Sequence, residues 1–290
     1  MIVTRFAPSP TGFLHLGHAF AAFTAFDSAR VGNPRGRFLL RIEDIDVTRC
    51  RAEFEDAIIQ DLRWLGLDWP EPVRRQSEHG CDYRDALKRL ESKGLLYPCF
   101  CTRKDIADEI ARAGLAPAAA EIPGEGGFYP GICRALTQEQ QAQRIAHGDV
   151  YALRLDAEKA GALLGRDLVF EEKGQGPNGE TGVQIVRPKL LGDVVLARKE
   201  LPASYHLAVV VDDALQGVNL VTRGQDLFSA THLQRLLQEL LDLPAPAYAH
   251  HRLILDPAGR KFSKRDKAVT LAYLREAGAT PQTIRAMVGL

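Results

Sequence analysis

Two histidines, His15 and His18, follow a turn rich in proline and glycine, Pro8-Ser9-Pro10-Thr11-Gly12, and open an apolar run that reads as helix. One helical turn apart, they share a face. The helix N-terminus behind them offers free N–H groups and a partial positive charge. That combination suits the phosphates of a nucleotide, and Gly17 between the rings would let a ligand lie against the backbone. The same pair also fits a polar helix face or two metal ligands. Far downstream, Lys261-Phe262-Ser263-Lys264-Arg265 sets two lysines and a hydroxyl on a loop. Such a segment reads as a phosphate clamp or as a solvated charge run.

A second chemistry lies in the middle of the chain. Cys99-Phe100-Cys101 is followed by Tyr129-Pro130-Gly131-Ile132-Cys133. Three thiolates fill three corners of a tetrahedral metal site, with Tyr129, Asp105 or a water as the fourth. The alternative is three ordinary buried thiols. No water-activating base stands beside the cluster, so a metal there would be structural. Cys50 and Cys81 stand apart, and an odd total of five cysteines argues against a disulfide framework. A reducing cytoplasm fits best.

These residues need elements to hold them. Residues 2–6 read as a strand, 8–12 as a turn and 15–30 as helix. Residues 37–42 read as a strand leading into Glu43. Thr48 is a candidate N-cap for a helix to about 65, with apolar residues at helical spacing. Residues 82–93 read as helix, Val209-Val210-Val211 and 218–221 as buried strands, 226–241 as an amphipathic helix, and 253–256 as a strand entering a turn. Two short helices, 269–277 and 281–288, follow. This alternation predicts a mainly parallel α/β sheet, which binds ligands beyond the carboxyl ends of its strands. His15, Glu43 and Arg223 fall at or just after such ends. Between about 97 and 205 the texture changes: 116–127 is rich in Ala, Pro and Gly, and 173–182 reads as a polar turn.

At 290 residues the chain can bury a full core. Its 37 basic and 37 acidic side chains cancel. A nucleic-acid surface must therefore be a local patch, such as Arg30, Arg35 and Arg37 or Arg74 and Arg75. No apolar run reaches membrane-spanning length, and the N-terminus lacks a signal-peptide pattern.

Taken together, His15-Leu16-Gly17-His18 and Lys261-Phe262-Ser263-Lys264-Arg265 resemble the signature pair of the class I aminoacyl-tRNA synthetases, His-Ile-Gly-His and Lys-Met-Ser-Lys-Ser. Leu16 and Phe262 are conservative departures; Arg265 replaces a serine and does not inherit its role. Residues 6–12, 40–46, 204–213 and 221–226 narrow the resemblance to the glutamyl/glutaminyl branch. It implies a Rossmann-type class I catalytic domain in two halves, 1–96 and 205–252. An insertion at 97–204 carries a zinc site and an acceptor-binding-like role, and the loop and C-terminal helices span 253–290. It also implies that Cys99, Cys101, Tyr129 and Cys133 hold one structural zinc.

The resemblance further implies the reaction. His15, Gly17, His18, Lys261, Ser263 and Lys264 would bind ATP with its magnesium, with His15, His18 and Lys264 acting on the phosphates. Arg5 and Arg223 would grip the side-chain carboxylate of L-glutamate, Glu43 its α-ammonium, and Ala7, Ser9 and Tyr205 would complete the pocket. Two guanidinium forks would disfavour glutamine on the order of a hundredfold. Without that context, Arg5 and Arg223 read as structural ion pairs with Glu43 or Asp226. Few residues follow Arg265, so no anticodon-binding domain is expected. With the cysteine cluster, this resembles the glutamyl-queuosine tRNA(Asp) synthetases. Those enzymes activate glutamate without tRNA and transfer it to queuosine in the anticodon stem-loop of tRNA(Asp). A monomer with no membrane association is expected. A truncated glutamyl-tRNA synthetase and an inactive synthetase-like binding module are the alternatives.

Overall fold

The computed structural model describes residues 1–31, 36–112, 129–190, 192–199, 201–255 and 269–290. In chain order the first half contains β1 (Val3–Phe6), α1 (Leu16–Arg30), β2 (Arg37–Ile42), α2 (Ala52–Trp64), β3 (Arg74–Arg75) and α3 (Gly80–Ser92). The middle contains β4 (Leu96–Cys99), α4 (Arg103–Arg112), α5 (Gln138–His147), β5 (Ala152–Leu155), α6 (Ala157–Leu164), β6 (Val169–Glu172), β7 (Gly182–Ile185) and β8 (Val195–Arg198). The last part contains α7 (Tyr205–Leu215), β9 (Leu220–Gly224), α8 (Phe228–Leu240), β10 (Ala247–His251), α9 (Leu271–Glu276) and α10 (Pro281–Met287).

Strands β1, β2 and β3 run parallel, and so do β9, β10 and β6, with β7 antiparallel at the edge. The two sheets meet where β1 lies beside β9: the Val3 N–H donates to Asn219 Oδ1 at 2.8 Å, and the Asn219 N–H donates to the Val3 carbonyl at 3.1 Å. One apolar cluster containing Val3, Leu39, Phe170, Val221 and Tyr248 spans the junction. Helix α1 is apolar on most sides because it is enclosed, with Phe20, Phe23 and Phe26 all buried. A separate antiparallel sheet, β4-β5-β8, carries the cysteine region.

Several sequence expectations fail for physical reasons. Val209-Val210-Val211 lies in helix α7, not in a strand. Its β-branched run reflects burial, since α7 packs in one cluster with α3 and α8, and a short apolar run does not by itself separate helix from strand. Thr48 does not cap α2; its hydroxyl donates to Asp46 at 2.6 Å, and the helix begins after Arg51. The late strand is Ala247–His251, ahead of the 253–256 stretch. Strands β6 and β7 fall within 97–204, the stretch read as an insertion; β6 pairs parallel with β10, and β7 pairs antiparallel with β6 at the sheet edge. Among the described residues no helix is long and apolar enough to cross a membrane.

Candidate active site

The carboxyl ends of β1, β2 and β9 share one rim. After β1, the segment from Ala7 to Gly12 is held by carbonyls: Pro8 O accepts the Glu43 N–H and Pro10 O accepts the Arg51 N–H, both at 3.0 Å. Ala7 and Ser9 are half-buried on this segment. His15 then caps α1, taking the Gly17 N–H on Nδ1 at 3.1 Å, while His18 Nδ1 takes the His15 N–H at 3.1 Å. The two imidazoles lie 3.8 Å apart between centroids. A Cβ at Gly17 would sit 3.0 Å from the His15 ring. The glycine thus lets the histidine fold over its own helix end.

Buried charge fills the floor beneath. Arg41 is fully enclosed and donates to Asp213 at 2.7 Å, to Gln216 at 2.9 Å and to Glu43 at 3.2 Å. Arg5 donates to the same Asp213 oxygen at 3.0 Å and to the Thr222 carbonyl of β9 at 3.3 Å. Burial pushes against the charge on Asp213, but Arg5 and Arg41 hold its carboxyl below the usual range. Glu43 differs. Burial raises its pKa, and Arg41 and Arg5 only partly oppose that. Its one side-chain hydrogen bond among the described residues comes from Arg41, so most of its lone pairs remain available.

Arg223 pairs with neither Glu43 nor Asp226. Buried at 5 % exposure, it donates from Nε to His250 Nε2 at 3.2 Å, from Nη1 to Gln234 at 2.6 Å and from Nη2 to Thr231 at 2.6 Å. These partners are neutral acceptors, and no carboxylate pairs with Arg223 among the described residues. A guanidinium has five N–H donors; two stay available, one on each Nη. The neighbouring His206 is held neutral, its pKa lowered to about 4 by burial and by Arg223. A buried cation that no carboxylate contacts directly among the described residues, with a donor left on each Nη, suits a carboxylate ligand. Tyr205, the first residue of α7, is half-buried.

Sequence reasoning did not single out Arg41, Asp212, Asp213, Glu172 or His250. The available signals were an arginine inside the apolar strand 37–42 and an Asp-Asp pair closing an apolar run. Asp212 is held by Arg74 at 2.8 Å, Gln76 at 2.7 Å and Tyr83 at 3.0 Å. Arg74 and Arg75 are therefore not a free basic patch: Arg74 pairs with Asp212 and Asp82, and Arg75 with Glu55. Lys261, Ser263, Lys264, Arg35 and residues 116–127 lie outside the described residues.

The cysteines form a second site. The Sγ atoms of Cys99, Cys101 and Cys133 lie within 4.8 Å of one another. Cys101 and Cys133 are 3.4 Å apart, and the Tyr129 hydroxyl is 3.6 Å from Cys101. A metal–sulfur bond of about 2.3 Å sets tetrahedral sulfur–sulfur edges of about 3.8 Å, so the donors fit such an ion. Asp105 does not join them: it accepts the Thr102 N–H and hydroxyl at the start of α4. Of the three candidates for the fourth position, Tyr129 is the side chain brought to the sulfurs. Hydrogen bonding from Cys133 holds the Cys99 thiol well below the usual range, and the same contact, with burial, pushes Cys133 up.

Residues 1–290 match the model of the class I tRNA synthetases (E and Q), catalytic domain. The chain is 49 % identical to the glutamyl-Q tRNA(Asp) synthetase of Rhodobacter capsulatus, covering all of both chains. It is 43 % identical to the protein of that name from Symbiobacterium thermophilum, over 98 % of this chain and 84 % of the relative. A crystal structure of a glutamate tRNA ligase from Elizabethkingia meningosepticum, in complex with its amino acid, superposes with a TM-score of 0.75 at 27 % identity. The chain spans 60 % of that longer protein. With the paired histidines and the buried arginines in place, the chain belongs to the glutamyl/glutaminyl class I tRNA synthetase family, among the glutamyl-Q tRNA(Asp) synthetases.

Proposed function

We propose that the protein activates L-glutamate with ATP without tRNA, then transfers glutamate to the queuosine base of tRNA(Asp). The observation that carries this reading is the buried Arg223 fork, which no carboxylate contacts directly among the described residues, set on the same rim as Glu43 and the paired histidines. Arg5 and Arg223 hold the substrate's side-chain carboxylate, Glu43 its α-ammonium, and Ala7, Ser9 and Tyr205 close around it. The α-carboxylate of glutamate attacks the α-phosphorus of ATP in line, and pyrophosphate leaves. Catalysis of this kind rests on positioning and charge neutralisation. His15, Gly17 and His18 meet the phosphates at the start of α1, and Lys261, Ser263 and Lys264 act from the loop. Magnesium accompanies ATP and neutralises phosphate charge.

In the second step a hydroxyl of the queuosine cyclopentene ring attacks the acyl carbon, and AMP leaves. End-to-end alignment with the Rhodobacter capsulatus relative supports this acceptor. In this reading residues 1–96 and 205–252 carry activation, 97–204 meets the RNA, and 253–290 supplies the loop and its support. Cys99, Cys101, Tyr129 and Cys133 hold one structural zinc. The test is incubation of protein, ATP and labelled glutamate with total tRNA, with and without queuosine. Label is expected in tRNA(Asp) only when queuosine is present, on the nuclease fragment that holds the anticodon. Label on a 3′-terminal fragment would instead identify a tRNA-charging enzyme.

Glu43 gives the activation step a pH signature. Its carboxyl is raised by burial, and only the ionised form attracts an ammonium group. As pH falls through that raised value Glu43 protonates, so kcat/KM for glutamate in pyrophosphate exchange declines with an acid midpoint above the ordinary carboxylate range. Glu43→Gln is expected to raise KM for glutamate at neutral pH and to abolish this limb. An unchanged limb in the variant would remove Glu43 from ammonium binding.

A further inference from the structure

Arg223 is held from behind by two residues that do not line the pocket. Glu172 closes β6 and His250 lies on the paired strand β10. Glu172 Oε2 meets His250 Nδ1 at 2.5 Å, and Oε1 accepts the backbone N–H groups of His250 at 2.9 Å and Gly174 at 2.8 Å. Both side chains are fully buried. The strands approach so closely that a Cβ at Gly174 would stand 2.3 Å from the His250 carbonyl oxygen. No Lys or Arg pairs with Glu172 among the described residues. Its partner cation is Arg223, one imidazole away.

Donor and acceptor roles along this line are forced. A carboxylate only accepts and a guanidinium only donates. Glu172 therefore holds the His250 proton on Nδ1, which turns the Nε2 lone pair to Arg223 Nε–H at 3.2 Å, with the Thr231 hydroxyl 3.3 Å from the same nitrogen. Burial and Arg223 keep His250 below its usual pKa although Glu172 pulls the other way, which favours the neutral ring. We infer that Glu172 and His250 are a positioning relay: Glu172 fixes the tautomer of His250, and His250 aims the Arg223 fork at the substrate's side-chain carboxylate. This inference rests on the glutamate pocket proposed above. It makes two residues outside that pocket determinants of glutamate selectivity.

The relay predicts an outcome that simple packing does not. In Glu172→Gln, the amide oxygen must still accept the two backbone N–H groups, so the amide nitrogen faces His250 Nδ1. The imidazole proton then moves to Nε2 and opposes the Arg223 N–H, donor against donor. KM for glutamate in pyrophosphate exchange is expected to rise about tenfold or more, with KM for ATP near its original value. Glutamine, which carries no negative charge, loses less, so the preference for glutamate narrows. His250→Ala should behave like E172Q. His250→Gln should retain more glutamate affinity than His250→Ala, because its amide can offer an N–H to Glu172 and a carbonyl to Arg223. Melting temperatures are recorded alongside. A folded E172Q with unchanged KM for glutamate, or with both KM values raised together, overturns the relay. If E172Q does not fold, equal glutamate KM values for H250Q and H250A overturn it. Arg223→Leu separates the two readings: an unchanged KM there overturns the pocket itself, whereas a large rise with an inert E172Q overturns the relay alone.

Discussion

Lys264→Ala is expected to lower glutamate-dependent pyrophosphate exchange by about 10²–10³-fold, with the melting temperature little changed. Residue 264 lies outside the described residues, but the chain on each side of it is anchored to the rim. Before it, β10 pairs with β9 through His251 opposite Gly224, and Leu253 packs on Gly224. After it, Thr270 forms a bridge with His15, and the Leu271 N–H donates to the Leu14 carbonyl at 2.8 Å. The segment carrying Lys264 therefore leaves beside Arg223 and returns beside the histidine pair. In the proposed reaction Lys264 meets the triphosphate as charge shifts to the departing pyrophosphate, so losing it would remove a contact made most strongly in the transition state. kcat should then fall more than KM for ATP rises. Exchange near the original rate would take Lys264 out of the mechanism.

The histidine pair and the strand ends were legible because they obey local rules. A Pro/Gly turn and an apolar helix read directly from residues 8–30, and the strand at 37–42 was read to its ends. The parts that escaped depend on partners far along the chain. Asp213 sits 208 residues from Arg5, yet its carboxylate ties that arginine to Arg41. Glu172 reaches Arg223 only through His250, 78 residues away. No spacing rule relates such positions. Val209-Val210-Val211 was misread for a related reason. Propensity reports the residue's preference, whereas the three valines are decided by the helices packed around them. Read without the family resemblance, Arg5 and Arg223 suggested ion pairs with Glu43 or Asp226, and neither arginine makes them. Arg5 sits in an ion pair with Asp213, while Arg223 has only neutral partners among the described residues. In the proposed pocket Arg5 therefore meets the carboxylate while tied to the charge network of the floor, and Arg223 meets it from a set of neutral partners.

Removing zinc is expected to abolish transfer to tRNA while sparing adenylate formation. The proposed ligands form the centre of a small apolar cluster with Tyr97 and Phe100, distinct from the clusters behind the rim. Without a cation, sulfurs this close cannot all be thiolates: lowering Cys99 is coupled to raising Cys133. A divalent ion reverses that opposition by favouring ionisation of every thiol at once, so its binding energy becomes folding energy for this part of the chain. Native mass spectrometry is expected to show one zinc per chain. Cys133→Ser should lose it and soften the β4-β5-β8 region in hydrogen exchange, and pyrophosphate exchange should persist because no ligand lies on β1, β2 or β9. Ligand thiols must be deprotonated to bind, so the metal should also leave as the pH falls. Metal-free protein that is folded and transfers glutamate to tRNA at the full rate would show that the cysteines are only buried thiols. Loss of pyrophosphate exchange together with the metal would show that the cluster supports the rim as well as the RNA-facing region, since β8 leads into α7 through the Ser204 N–H bond to Leu196 at 2.7 Å. Helix α7 carries both Tyr205 and Asp213, so through that hydrogen bond a disordered cysteine region could disturb the glutamate pocket.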